Sequence, residues 1–220
     1  NLIKRKDEKM KKKMISAALT LCLVFCTAVP AFAAQNSMGN FKATATYRGE
    51  FKDVASTHWA ASSVKTCYEY GLMKGNSPVS FAPDGNLTVA QALVMADRIH
   101  EIYTTGKSTL QNGDVWYAPY VDYAIENGII AKGEFSNYNA AVTRAQMASF
   151  FYNALPASEL SAINAISEIP DISGNRNADK ILTLYQAGVL TGSDIYGTFY
   201  PNNPIKRSEA AAILTRVAIP

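Results

Sequence analysis

From residue 51 onward, apolar residues recur at three- and four-residue steps in six stretches, and the stretches come in three pairs. That spacing gathers apolar side chains on one face of a helix. In the first pair it predicts a helix over about 58–70, with Trp59, Val64, Cys67 and Tyr68 on one side. It predicts a second over about 89–103, striped by Leu93, Ala96, Ile99 and Tyr103. The second pair has Pro119 in the first turn of its opening helix, where proline is best tolerated, then Met147, Phe150, Phe151 and Leu155. The third has Ile181, Leu182 and Tyr185, then Ala211, Ile213, Leu214 and Val217. The connection 156–168 leaves room for a short extra helix. Residues 34–50 are polar, rich in Thr, Ala and Gly, and aperiodic, so they read as a leader or linker.

The punctuation between helices repeats as well. An Asp-containing turn opens each unit, "FKDVASTHWAASSV", "GDVWYAPYVDYAI" and "IPDISGNRNADKIL", with its Asp at 53, 114 and 171. Each first helix runs into glycines, "YEYGLMKG", "IENGIIAKG" and "YQAGVLTG", of which Gly71, Gly128 and Gly188 look like helix stops. An aromatic turn follows: "FAPDGNLT" and "FYPNNPIK" in the outer copies, the looser "FSNYNAAVT" in the middle. Spacings of 61 and 57 residues between the Asp markers describe one supersecondary unit duplicated and packed on its copies. The boundaries fall at 51–108, 109–160 and 161–220. Residues 51–220 leave fewer than 60 per copy, too few for a helical hairpin to fold alone, so the three copies are expected to share one core.

The net charge of +3 is misleading. Residues 1–33 carry seven Lys/Arg against two Asp/Glu, and the remainder carries fourteen against sixteen. Nothing after residue 34 is basic enough to track a nucleic acid backbone. The front end reads as a secretory signal: a basic cluster at 10–13, an apolar run at 14–29, Pro30, then Ala31-Phe32-Ala33 before the cut. The apolar run of 16 residues is short of the roughly 20 a bilayer needs, so no membrane span is expected after cleavage. The residues before Met10 look like a mis-called start or a fragment. Cys22 and Cys26 fall inside the leader, which leaves Cys67 alone and excludes a disulfide scaffold. Cys67 reads as a small buried hydrophobe, since neither His58 nor His100 is spaced to activate it.

The starts of the second helices carry the most informative chemistry. Thr88 with Gln91, and Thr143 with Gln146, fit the capping box; in the third copy Lys206 replaces Thr, leaving Glu209. Capping does not account for Arg144 and Arg207. A cation in the first helical turn meets the positive end of the helix dipole, which costs about 0.3–1 kcal/mol. Two explanations stand: free N–H groups and a guanidinium awaiting a carboxylate or phosphate, or an Arg reaching to a nearby Asp.

The three copies resemble a run of S-layer homology modules. Residues carrying the likeness are Phe51, Asp53-Val54, His58-Trp59-Ala60, Gly71, Gly75, Phe81 and Pro83 in the first copy. They are Asp114-Val115, Gly128, Gly133 and Thr143-Arg144-Ala145-Gln146 in the second. In the third they are Asp171, Gly188, Gly192, Phe199, Pro201 and Arg207-Ser208-Glu209. The resemblance covers residues 51–220 and implies a mainly α fold. Three helical hairpins would form a three-pronged, pseudo-threefold spindle around a central bundle of the three second helices, with the Asp/Trp turns as prongs. It also implies non-covalent anchoring to the wall: grooves between modules bind a secondary polysaccharide attached to peptidoglycan, whose pyruvate ketal meets the motif Arg.

Arg144 and Arg207 are therefore the leading ligand-binding candidates, with Asp53, Asp114, Asp171, Trp59, Trp116, Gly75, Gly133 and Gly192 beside them. Aromatic faces bury the flat C–H faces of sugars well, but both Trp residues could equally be core anchors, Trp59 especially. Each Asp can also bond backbone N–H groups just ahead of it and start the following helix. Gly75, Gly133 and Gly192 are the glycines expected to line a groove. The first copy departs from the pattern at Val89, where the motif Arg is missing. The third has Asn175-Arg176-Asn177 where a Trp would stand, and in the second Tyr120 competes with Trp116 as stacking partner. Arg144→Ala is expected to weaken wall binding without unfolding the chain.

Catalysis is not expected. The regular Asp residues are spread over separate copies rather than paired across one cleft. Metal-ligand spacing, a phosphate-cradling glycine loop and a credible triad are all missing from the sequence, and no cofactor is implied. The alternatives to a wall-bound secreted binder are the anchor portion of a larger S-layer subunit or wall-active enzyme, and a lattice-forming structural subunit.

Overall fold

The computed structural model describes residues 35–219; the expected leader lies outside the described residues. Six α-helices are found among them: α1 Ala61–Glu69, α2 Val89–Thr105, α3 Ala118–Glu126, α4 Arg144–Asn153, α5 Ala178–Gln186 and α6 Arg207–Ala218. The described part is thus mainly helical, with isolated β-bridges in place of strands. Each copy contributes one short and one longer helix, as the periodicity predicts. The first helix begins at Ala61, three residues later than expected, so His58 and Trp59 belong to the turn before it. The connection 156–168 holds only a 3-10 turn at Ala157–Glu159.

Helices pack chiefly between copies rather than within them. The second helix of the first copy, α2, lies against α3 of the second; α4 of the second lies against α5 of the third; α6 of the third returns to α1 of the first. The residues just before the three second helices close a ring of backbone hydrogen bonds. Leu87 N–H donates to Ile205 O at 3.0 Å, Ile205 N–H to Val142 O at 3.2 Å, and Val142 N–H to Leu87 O at 3.0 Å. Leu87, Val142 and Ile205 are fully buried at its centre. Each such side chain removed from water contributes about 1.5–3 kcal/mol. The predicted stripes fill one continuous core, Leu93, Ala96, Ile99, Met147, Phe150, Leu214 and Val217 among them.

The stretch read as a linker is docked. Ser37 N–H and the Asn40 side-chain amide both donate to Tyr103 O, at 3.0 and 2.8 Å. Thr44 N–H donates to Glu69 O at 2.7 Å and Tyr47 N–H to Glu69 Oε1 at 3.0 Å, while Phe41 is buried. Residues 35–50 form a strap that caps the ends of α1 and α2. It has no apolar periodicity because it holds on mostly through backbone hydrogen bonds, which leave no pattern in the sequence.

Candidate functional site

The Asp turns act at long range. Asp53 accepts from Phe81 N–H, Ala82 N–H and Ser80 Oγ–H at 2.7–2.8 Å. Asp171 accepts from Phe199 N–H at 2.9 Å and Tyr200 N–H at 2.6 Å. The expectation that each Asp starts its own helix is therefore corrected: these two carboxylates clamp the aromatic turn 28–29 residues downstream. They hold Ala82 and Tyr200 at a φ of 57°, a left-handed conformation that a residue with a Cβ adopts only under constraint. Asp114 is exposed and, among the described residues, makes no such clamp, in keeping with the looser middle turn.

All three aromatic turns, the two clamped ones and the looser middle one, in turn receive the second helices. The Arg207 and Ser208 N–H groups donate to Gly85 O and Pro83 O, the Arg144 and Ala145 groups to Asn203 O and Pro201 O, and the Val89 and Ala90 groups to Ala140 O and Tyr138 O. The third N–H of α2 and of α4 goes to the capping Thr88 and Thr143 hydroxyls, and Gln91 and Gln146 close both boxes. At Lys206 only the Glu209 half survives, at 2.8 Å. The expectation of free helix-start N–H groups fails: a neighbouring copy's carbonyls have taken them. What remains for a ligand is the guanidinium.

Arg207 Nε donates to Phe81 O at 2.6 Å, Nη2 to Lys74 O at 2.9 Å, and the carbon of its guanidinium lies 4.7 Å from the Phe81 ring centre. Arg144 repeats this on the next copy: Nε to Phe199 O at 2.7 Å, with Phe199 at 5.0 Å, but its Nη1 pairs with Glu209 at 2.9 Å. Both side chains are largely buried yet open on clefts between copies. Burial brings Arg207 down to about 10, with Asp53 opposing and Arg98 adding to the shift, so it stays a cation at neutral pH.

Two grooves result, built to one plan. The wider, about 580 Å³, sets Arg207 of the third copy beside Gly75 and Gln91 of the first and Trp116 and Tyr120 of the second. The narrower, about 260 Å³, sets Arg144 of the second beside Gly192 and Glu209 of the third and Trp59 of the first. Each also takes a second arginine one face along the longer helix, Arg98 in the wider and Arg216 in the narrower. The sequence reading missed that pair. Their spacing of 118 residues equals that between Val89 and Arg207, which is the signal that could have found them.

Trp59 is 64% exposed, lies in the turn before α1 and stacks on His58, so of the two roles weighed for it the core anchor does not hold. Trp116 is 37% exposed. Gly75 and Gly192 line the grooves because nothing larger fits: a Cβ on Gly75 would meet the Ser77 and Ser80 carbonyl oxygens, and one on Gly192 the Gly197 backbone. Gly133 and the three Asp markers line neither groove. At the third junction Val89 is buried, Arg176 pairs with Glu134 at 2.9 Å, and Lys180 bonds Ser149 and Asn153 at 3.0 Å. Those polar groups satisfy one another.

Cys67 is buried and donates to Ala211 O at 3.3 Å, as a structural thiol does. No helix among the described residues is long and apolar enough to cross a membrane.

Residues 50–93 and 168–211 match the family model of the S-layer homology domain. It is 24% identical over 211 residues to the S-layer protein sap of Bacillus anthracis, covering 93% of this chain and 24% of that protein. It is 27% identical over 214 residues to an endoglucanase of Bacillus sp. (strain KSM-635), covering 94% and 22%. To the surface-layer 125 kDa protein of Lysinibacillus sphaericus it is 26% identical over 214 residues, covering 93% and 17%. The chain thus spans about a quarter or less of the length of these relatives.

Proposed function

We propose that this chain anchors its protein non-covalently to the cell wall by holding an acidic secondary polysaccharide in the Arg207 and Arg144 grooves. One observation carries the reading. Two clefts between copies each bring together a motif arginine, a second arginine and an exposed tryptophan from three different parts of the chain. A carboxylate such as that of a pyruvate ketal fits the unused guanidinium N–H groups, and the indole face suits the adjoining sugar ring. The shared plan of the two grooves, the docking of each second helix on a neighbouring copy and the closed ring at 87, 142 and 205 support three tandem modules in a pseudo-threefold spindle. In this reading the third junction, without its arginine, is structural.

The wall is the expected location, reached by secretion with residues 1–33 as leader. Because the relatives are four or more times longer and include both surface-layer proteins and an endoglucanase, the anchor portion of a larger surface or wall-active protein is the second reading. Purified walls should retain the protein, and walls stripped of secondary polysaccharide by acid should not. Retention by stripped walls overturns the glycan target.

A further inference from the structure

The wider groove does not end at Arg207. It shares Lys74, Arg98, Leu110 and Gln111 with a second cleft of about 330 Å³, which is lined in addition by Asn40, Lys42 and Thr44 of the strap and by Lys107. Arg207, Arg98, Lys74, Lys42 and Lys107 therefore follow one continuous channel, and no Asp or Glu lines either cleft. Nearby carboxylates turn inward. Glu101 accepts from the Thr109 and Leu110 N–H groups and from the Ser108 and Thr109 hydroxyls, and Glu69 accepts from Tyr47 N–H. Asp97, buried behind them on α2, does not reach the channel. The narrower groove lacks this extension, and its own arginine is already paired with Glu209. In a chain whose described part is slightly acidic, such one-sign lining marks a path for a polyanion.

We propose that the strap builds a second anionic subsite, so that the channel from Arg207 to Lys107 holds a glycan chain bearing at least two negative charges along its length. This rests on the wall-glycan reading of the Arg207 groove and adds what that reading lacks: a preference for a polymer over a single acidic sugar. Lys42 and Lys107 are exposed and bear no load in the fold, so replacing them tests the subsite alone.

The test compares two probes by calorimetry: a methyl glycoside with one pyruvate ketal, and acid-released wall polysaccharide fractionated to chains with at least two carboxylates. The double variant Lys42→Gln/Lys107→Gln should lose about five-fold or more in affinity for the chains and show a flatter salt dependence, while affinity for the glycoside falls less than about two-fold. If the two affinities fall together, or neither moves, while Trp116→Ala weakens both, the strap subsite is overturned and the groove stands. If Trp116→Ala also leaves both probes bound as before, the wall-glycan reading fails and the subsite with it.

Discussion

Arg144 on α4 and Glu209 on α6, from different copies, are joined by a 2.9 Å ion pair inside the narrower groove. At the matching place in the wider groove stands Gln91, which lines the cleft with Arg207. An incoming carboxylate must compete with Glu209 for Arg144 but meets only a neutral amide beside Arg207. The wider groove should therefore bind acidic ligands more tightly. Glu209→Gln should raise the affinity of the narrower groove several-fold. It keeps the bond to Lys206 N–H yet loses the charge-assisted one, lowering stability by about 1–2 kcal/mol. Calorimetric titration and thermal unfolding of the same variant check both halves.

Arg207→Ala is not a clean binding variant. It leaves the Phe81 and Lys74 carbonyls unpaired and opens a void over the Phe81 ring, so a loss of about 2–4 kcal/mol is expected from denaturant unfolding. The same holds in kind for Arg144, which revises the expectation that Arg144→Ala leaves the fold intact. Trp59→Ala and Trp116→Ala are better probes. Both side chains face solvent, so stability should stay within about 0.5 kcal/mol while wall retention drops.

How much of this was legible in the chain turns on what leaves a periodic trace. The stripe Leu93–Ala96–Ile99–Tyr103 and the Thr88–Gln91 box are local, and each took the position its spacing implies. Asp53 looked like a helix starter because its true partners, Phe81 and Ala82, lie 28 and 29 residues away and are bonded through backbone N–H groups that no side-chain pattern reveals. Arg144 and Arg207 were conspicuous for being badly placed against the helix dipole. That the N–H groups beside them are already filled by Asn203 O and Gly85 O depends on which copies adjoin, and a repeat period does not say that.

Stability should peak on the acid side of neutrality. Asp97 is fully buried with both carboxylate oxygens unpartnered among the described residues; burial, then the Glu101 charge, push it up to about 9 against the opposing pull of Arg98. Between about pH 4 and pH 9 the folded chain thus binds a proton that the unfolded chain has released, and stability falls as pH rises through that window. Asp53 acts oppositely. Partial burial pulls it up, but the bonds from Phe81, Ser80 and Ala82 win and hold it below the usual carboxylate range, so its contribution is present above about pH 4 and fades below. Denaturant unfolding at pH 5 and pH 8 should favour pH 5, and Asp97→Asn should flatten that slope. An unchanged slope in Asp97→Asn would assign it elsewhere.

Burial pushes the Cys67 thiol up to about 12, with the Thr215 hydrogen bond opposing. Protein lacking residues 1–33, and so Cys22 and Cys26, should at pH 8 leave a thiol-specific chromogenic reagent uncoloured over an hour, and denaturant should release one equivalent at once. Rapid colour without denaturant would mean that α1 and α6 separate readily.

The ring of Leu87, Val142 and Ile205 imposes an order on biogenesis. A nascent or exported chain that presents only the first two copies has one of its three bonds, and α1 lacks the α6 surface that covers it. Completion waits for the last helix, whose arrival shuts two junctions in a single step. Until then the face of α1 that α6 covers stays open to water. Afterwards no single hairpin can be peeled away without opening the whole assembly.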